Sequence, residues 1–315
     1  MCGGAMKKIL IIGELLIDLI SEEYVDDLAD AKSFKKYYAG SPGNLAINLK
    51  NLGIEPLLLA SVGDDPFGRG YKKWLEEKGI KTTFINRSKL PTSFVIVSKS
   101  QDTPLFMPIR GADYKIDFPQ EPEKLFEGVE FIHLTSWPLS RNPARKTVMK
   151  VLEIAKKRGI KVCFDPNYRE ILWENGSDGK IFIRKFMKDI YLVKPSLDDS
   201  FHIFGKMSPR RYINEYHKCG VEKVVLTLGK DGVLVSDGEK VKKIHTYAKN
   251  VVDTTGAGDA FWSGLYHGLL EGFDVFGAAK IGNAAAAFRL ETEDKSVPIP
   301  SIEVLKKIME TRSIS

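Results

Sequence analysis

The chain is poor in cysteine. Cys2, Cys163 and Cys219 are the three among 315 residues. Three is an odd number and forms no C-x-x-C, so neither a disulfide framework nor a cysteine zinc site is indicated. The five histidines, His133, His202, His217, His245 and His267, show no ligand spacing and no H-E-x-x-H, which removes the common helical zinc motif. No apolar run approaches the roughly 18 residues of a membrane helix. No basic run is interleaved with aromatics, so there is no signature of a nucleic-acid surface. Both familiar phosphate loops are missing: there is no G-x-x-x-x-G-K-[ST] and no G-x-G-x-x-G. The first residues carry charge ahead of an apolar stretch but no small-residue cleavage site. They do not read as a signal peptide, and a cytoplasmic location is the default. Met1 to Ala5 read as a cloning scar before a start at Met6, so residues 1–6 are left out of the fold.

What is present is globular. Lys and Arg number 47 against 41 Asp and Glu, a formal net charge of +6, with 43% hydrophobic and 28% charged residues. A sizeable core can form under a Lys-rich, solvated surface. At about 150 residues per domain the length suits two domains or one large one. Lys8–Gly13, Leu57–Val62, Val129–Leu134, Lys161–Phe164, Ile190–Val193 and Val224–Leu228 read as buried strands. Between them run helical spacings. Leu45, Leu49 and Leu52 precede Gly53, and Val148, Val151, Leu152 and Ala155 precede Gly159. This alternation predicts an α/β fold with a central, mostly parallel sheet and helices on both faces.

Two stretches break the alternation. Leu15 to Tyr38 is too long for a short βα loop. Ser93 to Ile109 has the composition of two strands joined by Gln101-Asp102-Thr103. Both are read as one small β-sheet projecting as a lid. Residues 7–14, 39–91 and 114–315 then form the large domain, and 15–38 and 92–113 the lid. A last helix follows Pro300, with Ile302, Leu305 and Ile308 on one face. A lid sheet with an exposed edge and apolar strands predicts a partner lid over it, hence a homodimer.

The segment Val252-Asp253-Thr254-Thr255-Gly256-Ala257-Gly258-Asp259-Ala260-Phe261 carries the chemistry. Small residues run straight into a helix with Phe261, Leu265 and Leu269 on an inward stripe. Gly264 and Gly268 would let another backbone approach. Backbone N–H groups converging at a helix start make an anion site. A carboxylate there, Asp259, is electrostatically odd unless it has a role, and the residues leave two: accepting a proton from a hydroxyl that attacks a bound phosphoryl group, or capping the helix.

This stretch resembles the second signature of the ribokinase/PfkB family of carbohydrate kinases. The turn Ala39-Gly40-Ser41-Pro42-Gly43-Asn44 resembles the first signature, about 210 residues earlier, with Ala39 in place of the family's frequent glycine. The resemblance implies a ribokinase-like fold and ATP-dependent phosphorylation of a sugar. Asp259 is then the catalytic base, and the amides of Gly256, Ala257 and Gly258 form an anion hole. On the sugar side it implies Asp18, Gly40, Gly43, Asn44 and Asp259, with Arg110, Asn167 and Arg169 beside the sugar or its phosphate. On the ATP side it implies Thr227, Gly229, Gly232, Gly256 and Gly258, with Asn283 facing the adenine. Mg²⁺ travels with ATP. Ser196 and Asp199 replace the family's metal-associated Asn and Glu, leaving Asp199 an indirect, water-mediated role. Family members are often activated by K⁺, for which Asp253 and Thr255 are the positions implied. Gly13-Glu14-Leu15-Leu16-Ile17-Asp18, Arg110-Gly111-Ala112-Asp113 and Asp165-Pro166-Asn167-Tyr168-Arg169 with Leu172-Trp173 look most like fructokinases. The expected substrate is therefore D-fructose, phosphorylated at O6. Alternatives are 2-keto-3-deoxygluconate and, in another class, a non-catalytic regulator binding sugar or nucleotide.

Overall fold

A computed structural model of the chain describes residues 7–100, 105–173, 177–294 and 297–312. The Gln101-Asp102-Thr103 junction and residues 1–6 lie outside the described residues. The first part of the chain gives β1 (Lys8–Ile12), β2 (Leu16–Tyr24), β3 (Phe34–Ala39), α1 (Ser41–Asn51), β4 (Glu55–Gly63), α2 (Pro66–Glu77) and β5 (Ile85–Ser88). The middle gives β6 (Ser93–Lys99), β7 (Phe106–Ile109), α3 (Pro122–Phe126), β8 (Val129–Thr135), α4 (Ala144–Lys157), β9 (Lys161–Asp165), α5 (Ser177–Phe186) and β10 (Leu192–Val193). The last part gives α6 (Leu197–Phe204), α7 (Pro209–Lys218), β11 (Lys223–Thr227), β12 (Val233–Ser236), β13 (Val241–Ile244), α8 (Ala257–Leu270), α9 (Val275–Leu290) and α10 (Ile302–Arg312).

Nine strands form one sheet in the order β13-β12-β11-β10-β9-β8-β1-β4-β5. From β11 to β5 every pair is parallel, and β12 and β13 return antiparallel. The α/β fold with helices on both faces is the one expected from the alternation. β1 shows why its strands read as unbroken apolar runs. Ile9 and Ile11 enter the core on one face, Leu10 and Ile12 the core on the other, because successive side chains point to opposite sides. Each of these burials contributes about 1.5–3 kcal/mol. Strand ends differ from expectation by a residue or two at most strands, β4 for example running Glu55–Gly63 instead of Leu57–Val62. Ile190 and Tyr191 precede the paired residues of β10, and Leu228 leaves β11 to open a turn, its N–H donating to the Gly232 carbonyl at 2.8 Å.

The lid is a second sheet, β3-β2-β6-β7. Asp18 pairs with Tyr37 on β3 and Val95 on β6, so these three share one face. Lys35, opposite Ile20, lies on that face too. So does Phe106, whose ring lies 6.2 Å from Trp137 of the large domain. The other face is anchored at its base, where Tyr38 stacks on Trp74 at 5.2 Å and Phe94 meets Phe67 at 5.0 Å. Farther out that face leaves Phe34, Met107 and Ile109 exposed.

α8 and α9 lie unusually close. A Cβ on Gly264 would stand 2.6 Å from the Ile281 carbonyl oxygen, and one on Gly268 2.6 Å from the Ala278 Cα. These two glycines allow the close approach expected of them. Gly268→Val should therefore cost about 1–3 kcal/mol through overpacking. Urea unfolding with an unchanged slope checks this, and an unaltered midpoint would contradict the packing account.

Candidate active site

The carboxyl ends of the parallel strands open on one edge of the sheet, where open α/β sheets bind ligands. Glu14 follows β1, Thr135 ends β8, Asp165 ends β9 and Lys194 follows β10. The N-terminus of α8 meets this edge. Gly256 caps it in the left-handed region at φ +77° with no side-chain capping bond, so the free N–H groups and the helix dipole remain available to an anion. Before it, the Thr255 amide donates to Asp253 Oδ1 at 2.8 Å, and the Ala257 amide reaches the Thr254 carbonyl at 3.3 Å. The position a Cβ would take on Gly258 is 3.7 Å from Lys194 Nζ.

Asp259 stands in the first turn of α8. Ser41 Oγ donates to its Oδ1 at 2.6 Å and Asn44 Nδ2 to its Oδ2 at 3.0 Å. Both donors lie in the first turn of α1, immediately after Gly40. Burial pushes the Asp259 carboxyl up to about 6; the Ser41 and Asn44 hydrogen bonds oppose this, Asp165 adds to it and Lys194 opposes it. A carboxylate of that basicity suits a general base near neutral pH.

The turn from β3 through Gly40 into α1 sits beside this pair. Gly40 has φ +104°, and a Cβ there would meet the Glu14 carbonyl oxygen at 2.4 Å. A Cβ on Gly43 would meet the Tyr71 hydroxyl at the same distance. Glu14 is buried and accepts from Thr135 Oγ1 at 2.8 Å. Burial pushes its carboxyl up to about 8, against its own backbone N–H and Thr135, and with help from Asp259 and Asp113.

Other expected residues fall around this centre with different degrees of commitment. Asp18 is half-buried on the lid face that carries Tyr37 and Val95. Arg110 is engaged elsewhere: Nε and Nη2 donate to the buried Asp113 at 2.8 and 2.5 Å, and Nη1 to Ser140 Oγ at 2.7 Å and the Leu172 carbonyl at 3.2 Å. Asn167 adopts φ +33° directly after β9, and Arg169 donates to the Tyr168 carbonyl at 3.2 Å. Thr227 ends β11, and Gly229 (φ +58°) and Gly232 (φ +89°) shape the turn to β12. Asn283, on α9, donates to the His245 carbonyl at 2.7 Å.

Asp199 caps α6: Oδ2 accepts from the amide and hydroxyl of Ser196 at 2.9 and 2.7 Å, and Oδ1 from the Tyr168 amide at 2.8 Å. A carboxylate used this way fits no direct metal bond. Among the described residues no group of three His, Cys, Asp or Glu could hold an ion. The loop with Gly256, Gly258 and Lys194 fits a phosphate.

Four residues that no motif reasoning singled out complete the site. Ser41 binds the base. Asp165 accepts from Trp262 Nε1 at 2.8 Å and lies 3.6 Å from Lys194 Nζ. Glu14 braces the turn. Residue type alone signalled none of them, although Ser41, Glu14 and Asp165 sit inside the quoted motifs and Lys194 directly follows a strand segment on the ligand-binding edge and opens the stretch that holds Ser196 and Asp199. The remaining buried histidine, His133, is a core residue. Its Nδ1 lies 3.0 Å from the Tyr266 hydroxyl, and burial pushes its pKa down to about 3.

A three-layered α/β fold with a second, smaller sheet, an acid in the first turn of a helix that starts on a left-handed glycine, and two donors reaching that acid from α1 are the features of a small-molecule kinase. Comparison with known proteins agrees. The model of the pfkB family of carbohydrate kinases matches residues 6–302, and the chain belongs to that family. It is 40% identical over 306 residues to the ATP-dependent 6-phosphofructokinase of Thermoanaerobacterium thermosaccharolyticum, covering 97% of this chain and 95% of that one. The structure of Halothermothrix orenii fructokinase superimposes with a TM-score of 0.79 at 37% identity, covering 91% and 99% of the two chains. A Pyrococcus horikoshii sugar kinase solved in complex with ATP superimposes with a TM-score of 0.82 at 30% identity, covering 97% and 100%.

The pKa of Asp259 predicts that kcat/KM for the sugar falls tenfold per pH unit below about pH 6, as the base takes up its proton. Asn44→Ala removes a bond that favours the charged form, so the acid limb should move to higher pH by about one pH unit. A pH–rate profile with its limb unmoved would separate Asn44 from the base.

Proposed function

We propose that the chain transfers the γ-phosphoryl group of ATP to the primary O6 hydroxyl of D-fructose. The carrying observation is the pairing of Asp259 with Ser41 and Asn44, which sets a proton acceptor between the anion cradle of α8 and the turn into α1. Phosphoryl transfer requires mainly alignment and charge neutralisation. ATP lies with its phosphates on the Gly256–Gly258 loop and its base toward Asn283, Thr227 and the Gly229–Gly232 turn. The sugar lies between Asp18 on the lid and Asp259, with Asn167 and Arg169 at its side. Its hydroxyl passes a proton to Asp259 as the oxygen attacks phosphorus. Lid closure excludes water, which otherwise competes as acceptor. Magnesium would arrive with the nucleotide and neutralise charge on its phosphates, with Asp199 the residue that would face it through water, and Asp253 and Thr255 would hold a monovalent cation.

A neutral sugar is favoured because Arg110 spends its guanidinium on Asp113, Ser140 and Leu172, and Val95 beside Asp18 is apolar. The 37% identity to a fructokinase supports the same choice. A second reading, phosphorylation of fructose 6-phosphate, is favoured by the 6-phosphofructokinase relative and by Lys35 on the Asp18 face of the lid. The deciding experiment is coupled ADP release with MgATP over fructose, fructose 6-phosphate, 2-keto-3-deoxygluconate, ribose and adenosine. Fructose should give the highest kcat/KM, and Asp259→Asn should lower kcat at least about 10³-fold. A preference for fructose 6-phosphate or the ketoacid keeps the mechanism and replaces the substrate. ATP binding without sugar-dependent turnover would favour a regulator.

We also propose that two chains pair through their lids. The exposed Phe34, Met107 and Ile109 share one lid face, and a partner lid would cover it. Sedimentation should give a dimer at micromolar concentration, and Met107→Asp should shift it to monomer. A wild-type protein that is monomeric throughout that range ends this proposal.

A further inference from the structure

We propose that Tyr71 is a positioning residue for the base: its hydroxyl, by holding the Ala39 carbonyl, sets the first turn of α1 and so brings Ser41 and Asn44 to Asp259. This rests on the kinase reading above, in which Asp259 takes the proton of the attacking hydroxyl. Tyr71 stands on α2 and is fully buried. Its ring sits at the base of the lid, edge-on to Tyr38 at 5.1 Å and to Trp74 at 5.6 Å. A phenylalanine would meet both neighbours in the same way, so packing does not require the hydroxyl. That hydroxyl donates to the Ala39 carbonyl at 2.8 Å, and Ala39 is the last residue of β3, directly before Gly40. Burial holds the hydroxyl well above its ordinary pKa, so it stays a donor.

The same oxygen lies against the first turn of α1. A Cβ on Gly43 would stand 2.4 Å from it, so glycine at that position is what admits it. The Glu14 carbonyl oxygen lies 2.4 Å from where a Cβ of Gly40 would be. The turn therefore fits between a stretch of backbone and one side-chain hydroxyl. Ser41 and Asn44 extend from this turn to Asp259 at 2.6 and 3.0 Å. Hydrogen bonds weaken steeply as their geometry is lost, so a small displacement at Ala39 is felt at both donors. The other groups whose charge acts on Asp259 are Glu14 after β1, Asp165 on β9, Lys194 after β10 and Arg289 on α9. None of them belongs to the turn or to α2. Removing the Tyr71 hydroxyl thus reaches Asp259 through Ser41 and Asn44.

The test titrates the Asp259 carboxyl by NMR in protein isotopically labelled at its aspartate carboxyls, the signal being assigned by its loss in Asp259→Asn. Tyr71→Phe keeps the ring and removes the oxygen. It should raise the midpoint by about half a pH unit, because weaker donors favour the protonated acid. The acid limb of kcat/KM for the sugar should move with it to higher pH. On the plateau kcat should fall about three- to tenfold, while the KM for ATP stays within about twofold. Tyr38→Phe, which takes the hydroxyl from the neighbouring ring, should leave the midpoint in place. In a Ser41→Ala/Asn44→Ala background Tyr71→Phe should move it no further, since the route through the turn is gone. An unmoved midpoint in Tyr71→Phe overturns the assignment. So does an equal shift in Tyr38→Phe or in the background that lacks both donors. If wild type phosphorylates none of the sugars, the kinase reading fails, and the carboxyl titration still decides whether Tyr71 acts on Asp259.

Discussion

Everything at the ligand edge depends on one carboxylate held by two donors from a distant part of the chain. Ser41 and Asn44 bind Asp259 across more than two hundred residues of sequence, and they do so from the turn that begins where the lid ends. The start of α1 and the start of α8 are thereby joined at Asp259, and each donor withdrawn would make its carboxylate more basic.

A second constraint is electrostatic. Glu14, Asp165 and Asp259 crowd one side of a water-poor cleft, and burial raises all three. Three ionised carboxylates in such a space would repel one another strongly. The structure distributes the load unevenly. Glu14, leaning on Thr135, is pushed up to about 8, Asp165 is raised by burial but offset by Lys194 and the Trp262 indole, and Asp259, held by Ser41 and Asn44, rises only to about 6. Acids in similar chemical surroundings thus take different roles, set by which donors each one meets.

Much of this was legible in the chain. β1, β4, β8, β9 and β11 appear as apolar runs because both faces of a parallel sheet are covered, and the Gly256-Ala257-Gly258-Asp259 segment announces a backbone anion site by composition alone. The lid strands were legible through length, since the residues between β1 and α1 exceed any short connection. Pairwise geometry was hidden. Arg110 reads as a ligand-seeking arginine, yet it is drawn into a buried pair with Asp113, a residue only three positions along the chain. Asn44 reads as a sugar contact, and in this structure it donates to the base. Lys194 opens the stretch read for Ser196 and Asp199, and its own neighbours, Gly258 and Asp165, are brought beside it only by the fold. The two-residue β10 is paired on both sides, although its apolar run extends back to Ile190, since the pairing of its neighbours decides where a strand begins.

The near-contact of α8 with α9 at Gly264 and Gly268 has a consequence for how such an enzyme can diversify. α8 starts with Asp259 and α9 carries Asn283. With glycine at Gly264 and Gly268 the two helices come close enough to act as a fixed ruler between the residues proposed for the reacting hydroxyl and for the nucleotide base. The lid shares no such seam with them. Its strands can be rewritten, residue by residue, to admit a different acceptor while the ruler stays unaltered, so that variation in diet is absorbed at one end of the molecule and the donor at the other end stays the same.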